Sequence, residues 1–342
     1  MRRTPIKVTA APEGSGREVG SPGAARRWGL ARPMPGDRPA FVLAGVLAFL
    51  IAATDVASPG FVTAHQLSTT LLYAAPLGAL AAGQTLVMLT GGIDLSVAAA
   101  ATAAAYLMAG LGARGTTVAV IVALFLGLAI GFVNGIGVGV FRVQPLIMTL
   151  GMAGVLGGAL TLASLQFTSG VPVVPEPIHQ IGSGTILGYV PLNLLVWAPL
   201  SLALMLGLRR SGFGRLIYAV GDNPLACRLS GVRVWQVLLG AYIISGVLST
   251  IAGVLLVGYT NAADLNLATP YLLPSVAAVV IGGTSILGGR GGYGGTILGA
   301  LILTVLDSLL TILNISQAGK QMLYGAIVLG LAWLYTRASE RD

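Results

Sequence analysis

Charge is what this 342-residue sequence has least of. Asp, Glu, Lys and Arg together make up 9% of it, about a third of the usual share in soluble domains. That is too little to clothe a compact body of this size in water, and it excludes a soluble globular enzyme. Cys227 is the only cysteine, which excludes intrachain disulfides and cysteine-cluster metal sites. With only two histidines, His65 and His179, the ligands for a soft-metal centre are also missing. The two lysines are Lys7 and Lys320, and Gly319-Lys320 is followed by Gln321, so no phosphate-binding G-x-x-x-x-G-K-[ST] loop exists. No Ser-His-Asp or paired-carboxylate set is apparent, and both histidines fall in predicted outer segments where solvation is expected. An enzyme, and in particular an ATPase, is therefore not expected.

Apolar residues and glycine are abundant. Residues of the A, V, I, L, M, F, W, Y, C set make up 55%, there are 49 glycines, and the mean hydropathy is +0.88. Disorder, which needs low hydrophobicity, is excluded.

Residues 1–39 stand apart, with eight basic residues, three acids and prolines that include Pro22, Pro33, Pro35 and Pro39, and read as a flexible cytoplasmic tail. A secretory signal is the rival reading, but its charged region would be too long and no small-x-small cleavage site follows Ala57. From residue 40 to 336 the chain is a transmembrane domain, and 337–342 form a short C-terminal tail. A spanning helix needs about 20 apolar residues. Ten runs are predicted: 40–57, 67–89, 96–111, 116–140, 145–165, 192–208, 236–258, 274–288, 294–313 and 321–336, the third and eighth short for a full crossing. Short, glycine-interrupted segments are where transporters break helices. The expected fold class is an all-α polytopic membrane protein of about ten helices with broken or re-entrant segments.

With both termini inside, the inner loops carry seventeen Lys and Arg and the outer ones two, Arg114 and Lys320. This asymmetry follows the positive-inside rule and accounts for the net charge of +8 without nucleic acid. Glycines 127, 131, 135 and 139 repeat at i, i+4, and Gly291, Gly295 and Gly299 repeat the pattern. Such stripes let helices pack closely; a surface that slides during gating is compatible with the same spacing.

Three acids lie in or beside apolar runs, where an ionisable group is a site hypothesis. Asp55, before Ser58-Pro59-Gly60, reads as a solvated helix end. Asp307 either faces a polar path or pairs with Ser and Thr neighbours. Asp94 follows Gly91-Gly92, where it is expected either to cap the next helix or to act in gating. A second glycine pair, Gly282-Gly283 before Thr284, resembles the first and hints at an internal repeat. The largest inner loop, 209–235, is predicted to hold a short helix near 223–230. Asp222 or Asn223 would cap it, Pro224 open it and Gly231 end it, with Leu225 and Leu229 on one face. It reads either as an ordinary basic loop or as a docking helix for a partner.

These residues together resemble the membrane permease subunit of a ribose-type (monosaccharide) ABC importer over about residues 65–336. Four stretches carry the resemblance: Gly83-Gln84-Thr85-Leu86-Val87 running into Thr90 to Val97; Asn134-Gly135 with Arg142-Val143-Gln144-Pro145 and Thr149-Leu150-Gly151; the loop 214–234; and Ala277 to Ser285 with Gly288-Gly289. It implies the ABC importer permease fold in a bacterial inner membrane, with both termini cytoplasmic. It also implies a second permease subunit, identical or not, a cytoplasmic ABC ATPase, and a periplasmic or lipid-anchored sugar-binding protein. ATP and Mg would sit on the ATPase, with no cofactor on this chain. Gly214, Arg215, Tyr218, Gly221, Asn223, Ala226, Arg228 and Gly231 fall in the segment that couples such permeases to the ATPase. The sequence departs from the family where Leu272-Leu273-Pro274 follows Tyr271 in place of acids, where Ala98 replaces a glycine, and at Cys227.

Polarity inside apolar runs nominates Gln84, Thr85, Asn134, Gln144, Thr149 and Ser275 as lining of the path, and the two helix breaks nominate Gly91, Gly92, Asp94, Gly282, Gly283 and Thr284 for the path and its gating. A binding protein would dock on loops 166–191 and 259–273. The alternatives are a nucleoside or branched-chain amino-acid ABC permease, a proton-coupled carrier relaying through Asp94 or Asp307, and a passive channel.

Overall fold

A computed structural model describes residues 38–166 and 174–339; the tail 1–37, the loop residues 167–173 and the last three residues, with the expectations that fall on them, lie outside it. All ten predicted apolar runs hold a helix, but the eighth, 274–288, is helical only to Ile281, because the second glycine pair breaks it there. In chain order these are α1 (Arg38–Ala57), α2 (Ala64–Leu89), α3 (Val97–Gly110), α4 (Thr116–Gly139), α5 (Pro145–Gln166), α7 (Leu194–Arg210), α10 (Val234–Thr260), α11 (Leu272–Ile281), α12 (Tyr293–Ile312) and α13 (Gln317–Ser339). Between them lie α6 (Glu176–Ser183), α8 (Gly212–Asp222), α9 (Pro224–Leu229) and a two-residue hairpin, β1 (Thr185–Ile186) with β2 (Val190–Pro191). Among the described residues six helices, α1, α2, α4, α5, α10 and α12, are long and apolar enough to cross a membrane. The pair α7 and α8, bent by 70°, makes a seventh candidate. The short predicted runs are short helices: α3, and α11, which stops at the second glycine pair.

The centre is α2. Nearly all of it from Ala74 to Leu89 is buried, under α10, α11, α12 and α7. The outer helices show the reverse: Phe41, Phe49, Phe125 and Leu162 are left exposed on α1, α4 and α5, an apolar surface that suits lipid and not water.

Close packing of α10 on α4 explains the first glycine stripe. A β-carbon on Gly127 would lie 2.6 Å from the Gly246 carbonyl oxygen, on Gly131 2.6 Å from Ile243 Cα, on Gly135 2.8 Å from Leu239 Cα, and on Gly139 2.9 Å from the Trp235 carbonyl. Each step of four along α4 meets a step back along α10, an antiparallel crossing in which backbone touches backbone. The second stripe does the same for α12 on α11, Gly295 lying against Gly282 and Gly299 against Ala278.

Both glycine pairs end a helix in one manner. After α2, Gly91 N–H bonds the Met88 carbonyl and Gly92 N–H that of Val87; after α11, Gly283 N–H bonds Val280 and Thr284 N–H bonds Val279. Gly91 (φ 82°) and Gly283 (φ 84°) take the left-handed conformation that closes such an end. The repeat hinted at by sequence is therefore real at the level of backbone geometry, but its register is one residue off: Gly91 corresponds to Gly283, not to Gly282.

Gly131→Ala is expected to lower stability by roughly 1–3 kcal/mol through overpacking. Gly151→Ala, whose β-carbon would meet nothing within 4 Å, should be close to neutral. Thermal unfolding of the purified protein in detergent compares them, and equal melting would contradict the packing assignment.

Candidate functional site

Two centres bring the sequence-nominated residues together. The first is a junction of bare backbone. In the polar loop the short helix was expected at 223–230; the structure has two helices there. α9 fits the expectation: Asn223 is its N-cap, its side chain accepting from Ala226 N–H at 2.9 Å, and Pro224 opens it. α8 was not anticipated. Ser211 caps it, accepting from Gly214 N–H at 2.9 Å, and Gly214, Ile217 and Val220 form its buried face. The end of α8 runs into both helix breaks. Gly289 N–H donates to the Leu89 carbonyl at 2.9 Å. A β-carbon on Gly288 would lie 2.8 Å from Gly91 N and 2.9 Å from the Gly221 carbonyl oxygen, and one on Gly221 would overlap the Leu89 carbonyl. Tyr218 of α8 also donates to the Gly291 carbonyl at 2.9 Å. α8 thus touches the end of α2 and the turn before α12 at once, and Gly288 of that turn in its own right lies against Gly91 in the turn before α3. On its far side α9 buries Cys227 and leaves Leu225 and Leu229 63% and 82% exposed. Arg215, Ala226, Arg228 and Gly231 are exposed as well.

The second centre is Asp94, 2% exposed. Its Oδ1 accepts from Ser96 N–H (2.9 Å) and Ser96 Oγ–H (2.6 Å), and its Oδ2 accepts from Ser245 Oγ–H on α10 (3.0 Å). Ser96 Oγ in turn accepts from Asn134 Nδ2 on α4 at 2.9 Å. Asp94 is not the N-cap of α3: that position is Ser96, two residues on. The carboxylate instead clamps the entry of α3 to α4 and α10. Thr149 of α5 joins the same turn, accepting from Leu95 N–H at 3.0 Å and contacting the Ile93 carbonyl. Gly92 is pressed against Tyr242: a β-carbon there would lie 2.9 Å from the phenol oxygen, which is buried without a hydrogen bond.

The remaining nominees scatter. Gln84 is buried next to the clamp's helix with neither amide atom bonded, while Thr85 pairs with Thr296 of α12 at 3.0 Å. Gln144 is exposed and, with Arg142, Arg228 and Tyr242, lines a cavity of about 250 Å³ beside the first break. Gly282 and Gly283 form the second break, Thr284 is buried and accepts from Gly292 N–H at 3.3 Å, and Ser275 donates to the Leu272 carbonyl. His65 is exposed as expected, whereas His179 is half-buried on α6, its Nδ1 2.9 Å from the Gly258 carbonyl. Asp55 accepts from Gly60 and Val62 N–H, holding the turn after α1. Asp307 pairs with Lys320, at 3.0 Å from Nζ, and with Tyr324, and lines a polar cavity. Sequence reasoning missed Ser245 and Lys320 because their partners lie 151 and 13 positions away on other helices, and it missed the link of Ser96 to α4 because Asn134 is 38 positions on.

A buried central helix, two glycine-closed breaks and an amphipathic helix seated beside them make up an all-α polytopic membrane protein. The chain belongs to the family described as branched-chain amino acid transport system / permease component, whose model matches residues 66–332. The ribose import permease protein of Escherichia coli K12 is 38% identical over 297 residues, 84% of this chain and 90% of that protein. That of Bacillus subtilis is 33% identical over 289 residues, 83% and 88%. The autoinducer 2 import system permease protein of Salmonella paratyphi B is 33% identical over 258 residues, 74% and 72%. The resemblance to ribose-type permeases is thereby borne out. No solved structure matches the chain.

Removing the clamp should be costly. Asp94→Ala strands the Ser96 and Ser245 hydroxyls and is expected to destabilise by about 1–3 kcal/mol. Asp94→Asn, which keeps one acceptor oxygen, should fall between it and the native chain. That order in thermal unfolding checks the clamp; Asp94→Ala melting with the native protein would contradict it.

Proposed function

We propose that this chain is the membrane subunit of an ATP-driven importer that carries a monosaccharide or related polyol across a bacterial inner membrane. The carrying observation is α9: an apolar ridge of Leu225 and Leu229, exposed on a chain poor in polar surface, joined through α8 to both helix breaks. Such a ridge suits a protein partner, and its neighbours Arg215, Arg228 and Arg233 put it on the basic, cytoplasmic side. On this reading the ridge is the seat of a separate ABC ATPase that holds ATP and Mg, and both termini face the same compartment. A second permease subunit and a sugar-binding protein on the outer loops complete the assembly. Similarity to ribose import permeases supports the sugar as cargo.

The mechanism follows from the contacts. Closure of the ATPase displaces α9. α8 cannot yield independently, because Gly221 lies directly on the Leu89 carbonyl and on Gly288-Gly289. The displacement therefore reaches α2, α3 and α12 together, and the path alternates between the two sides. Asp94 keeps α3, α4 and α10 in register during that movement.

Uptake of labelled pentose by cells carrying the complete system tests the energy source. Depleting ATP while the membrane potential is held should abolish uptake, and collapsing the potential with ATP present should leave it. The opposite pair of results, or uptake of labelled leucine in place of sugar, would overturn the proposal.

A further inference from the structure

Toward the other end of α2 from the α8 junction, roughly 18–35 Å along the helix from Leu89, lies a cavity of about 540 Å³ between α2, α11, α12 and α13. Its size falls within the range of small-molecule sites. The serine and threonine side chains of its wall share one pattern of hydrogen bonding. Thr304 Oγ donates to the Ala300 carbonyl, Ser308 Oγ to the Thr304 carbonyl, Thr311 Oγ to the Asp307 carbonyl and Thr69 Oγ to the His65 carbonyl. Each serine and threonine hydroxyl in this wall therefore donates to its own helix and presents lone pairs, while Tyr324 donates to Asp307 and Tyr73 accepts from Tyr259. Asp307 adds a carboxylate, half exposed, whose contacts with Lys320 and Tyr324 both fall on Oδ1 and leave Oδ2 to the cavity.

Serine, threonine and carboxylate acceptors, set beside the donor-capable Gln66 and Gln317 amides and tyrosine hydroxyls, suit a ligand with several donors of its own. Two classes qualify, a cation and a polyhydroxylated molecule. The cation's place is already taken: Lys320 Nζ, 8% exposed, lies 3.0 Å from Asp307 and 2.6 Å from Thr311 Oγ. That internal ammonium cancels the carboxylate and leaves the site neutral. Tyr73, Tyr271 and Tyr324 line the same cavity and offer aromatic surface to the apolar side of a ring or chain.

We infer that this cavity is a weak receiving site, within the permease itself, for a neutral polyhydroxylated solute such as a sugar or polyol. It rests on the proposed sugar importer for its physiological meaning, and it adds to that reading a place where the cargo pauses on the side facing away from α9. Ser308, Thr304 and Asp307 accept the solute's hydroxyl protons.

The full-length protein in lipid nanodiscs is titrated by saturation-transfer NMR with D-ribose, D-xylose, D-galactose, ribitol and myo-inositol, and separately with leucine and potassium chloride. At least one sugar or polyol should give a saturable signal in the millimolar range that neither leucine nor potassium suppresses. Ser308→Ala and Thr304→Val, which leave the Asp307–Lys320 pair intact, should each weaken it about three- to tenfold. Asp307→Asn should weaken it about tenfold or more, at unchanged melting for the two conservative variants. Absence of a saturable signal across the panel, indifference to Ser308→Ala and Thr304→Val, or competition by potassium or leucine would each overturn the site. ATP-driven uptake without such binding sinks the site and spares the importer; variant-sensitive binding without ATP-driven uptake does the reverse.

Discussion

Backbone meets backbone where Leu89, Gly91, Gly221 and Gly288-Gly289 converge, and no side chain separates them. This contact is the constraint on which the rest depends. A helix break in a membrane leaves polar groups that must find partners within the protein, and here the carbonyl at the end of α2 is answered by the turn before α12. Because α8 is wedged onto the same spot, three otherwise separate parts of the bundle share one mechanical point. Glycine is required there twice over, for left-handed φ at positions 91, 288 and 289 and for the absence of a β-carbon at 221.

The Asp94 clamp serves the same purpose in polar currency. A buried carboxylate is costly unless its oxygens are filled, and Ser96 and Ser245 fill both. The result is a short α3 that starts next to the junction and is tied to its neighbours through hydrogen bonds rather than through length. Stripes of glycine then hold α4 to α10 and α12 to α11 at contact distance. The bundle is stiff where side chains are absent or fully bonded, and polar and open at the far end, around Asp307.

Much of this was legible in the residues. Apolar runs found every long helix, and glycine pairs found both breaks. Asn223-Pro224 found α9, since a capping side chain followed by proline leaves few other local structures. What escaped did so for physical reasons. α8 was not anticipated because glycine has low helix propensity, and Gly214 and Gly221 lie within it, whereas their lack of a side chain is what lets the helix sit on its neighbours. Asp94 looked like a cap because capping is a local pattern, while its second oxygen is answered from α10. Lys320 read as a solvated loop residue; only the fold shows it buried and paired across to α12.

The most direct measurement is ATP hydrolysis and solute uptake together, in proteoliposomes holding the assembled transporter with a bulky residue in place of Gly221. If the junction transmits the stroke, the assembled complex hydrolyses ATP but uptake is lost, because α8 no longer seats on Leu89 and Gly289. Uptake at the native rate per ATP in that variant would contradict the account.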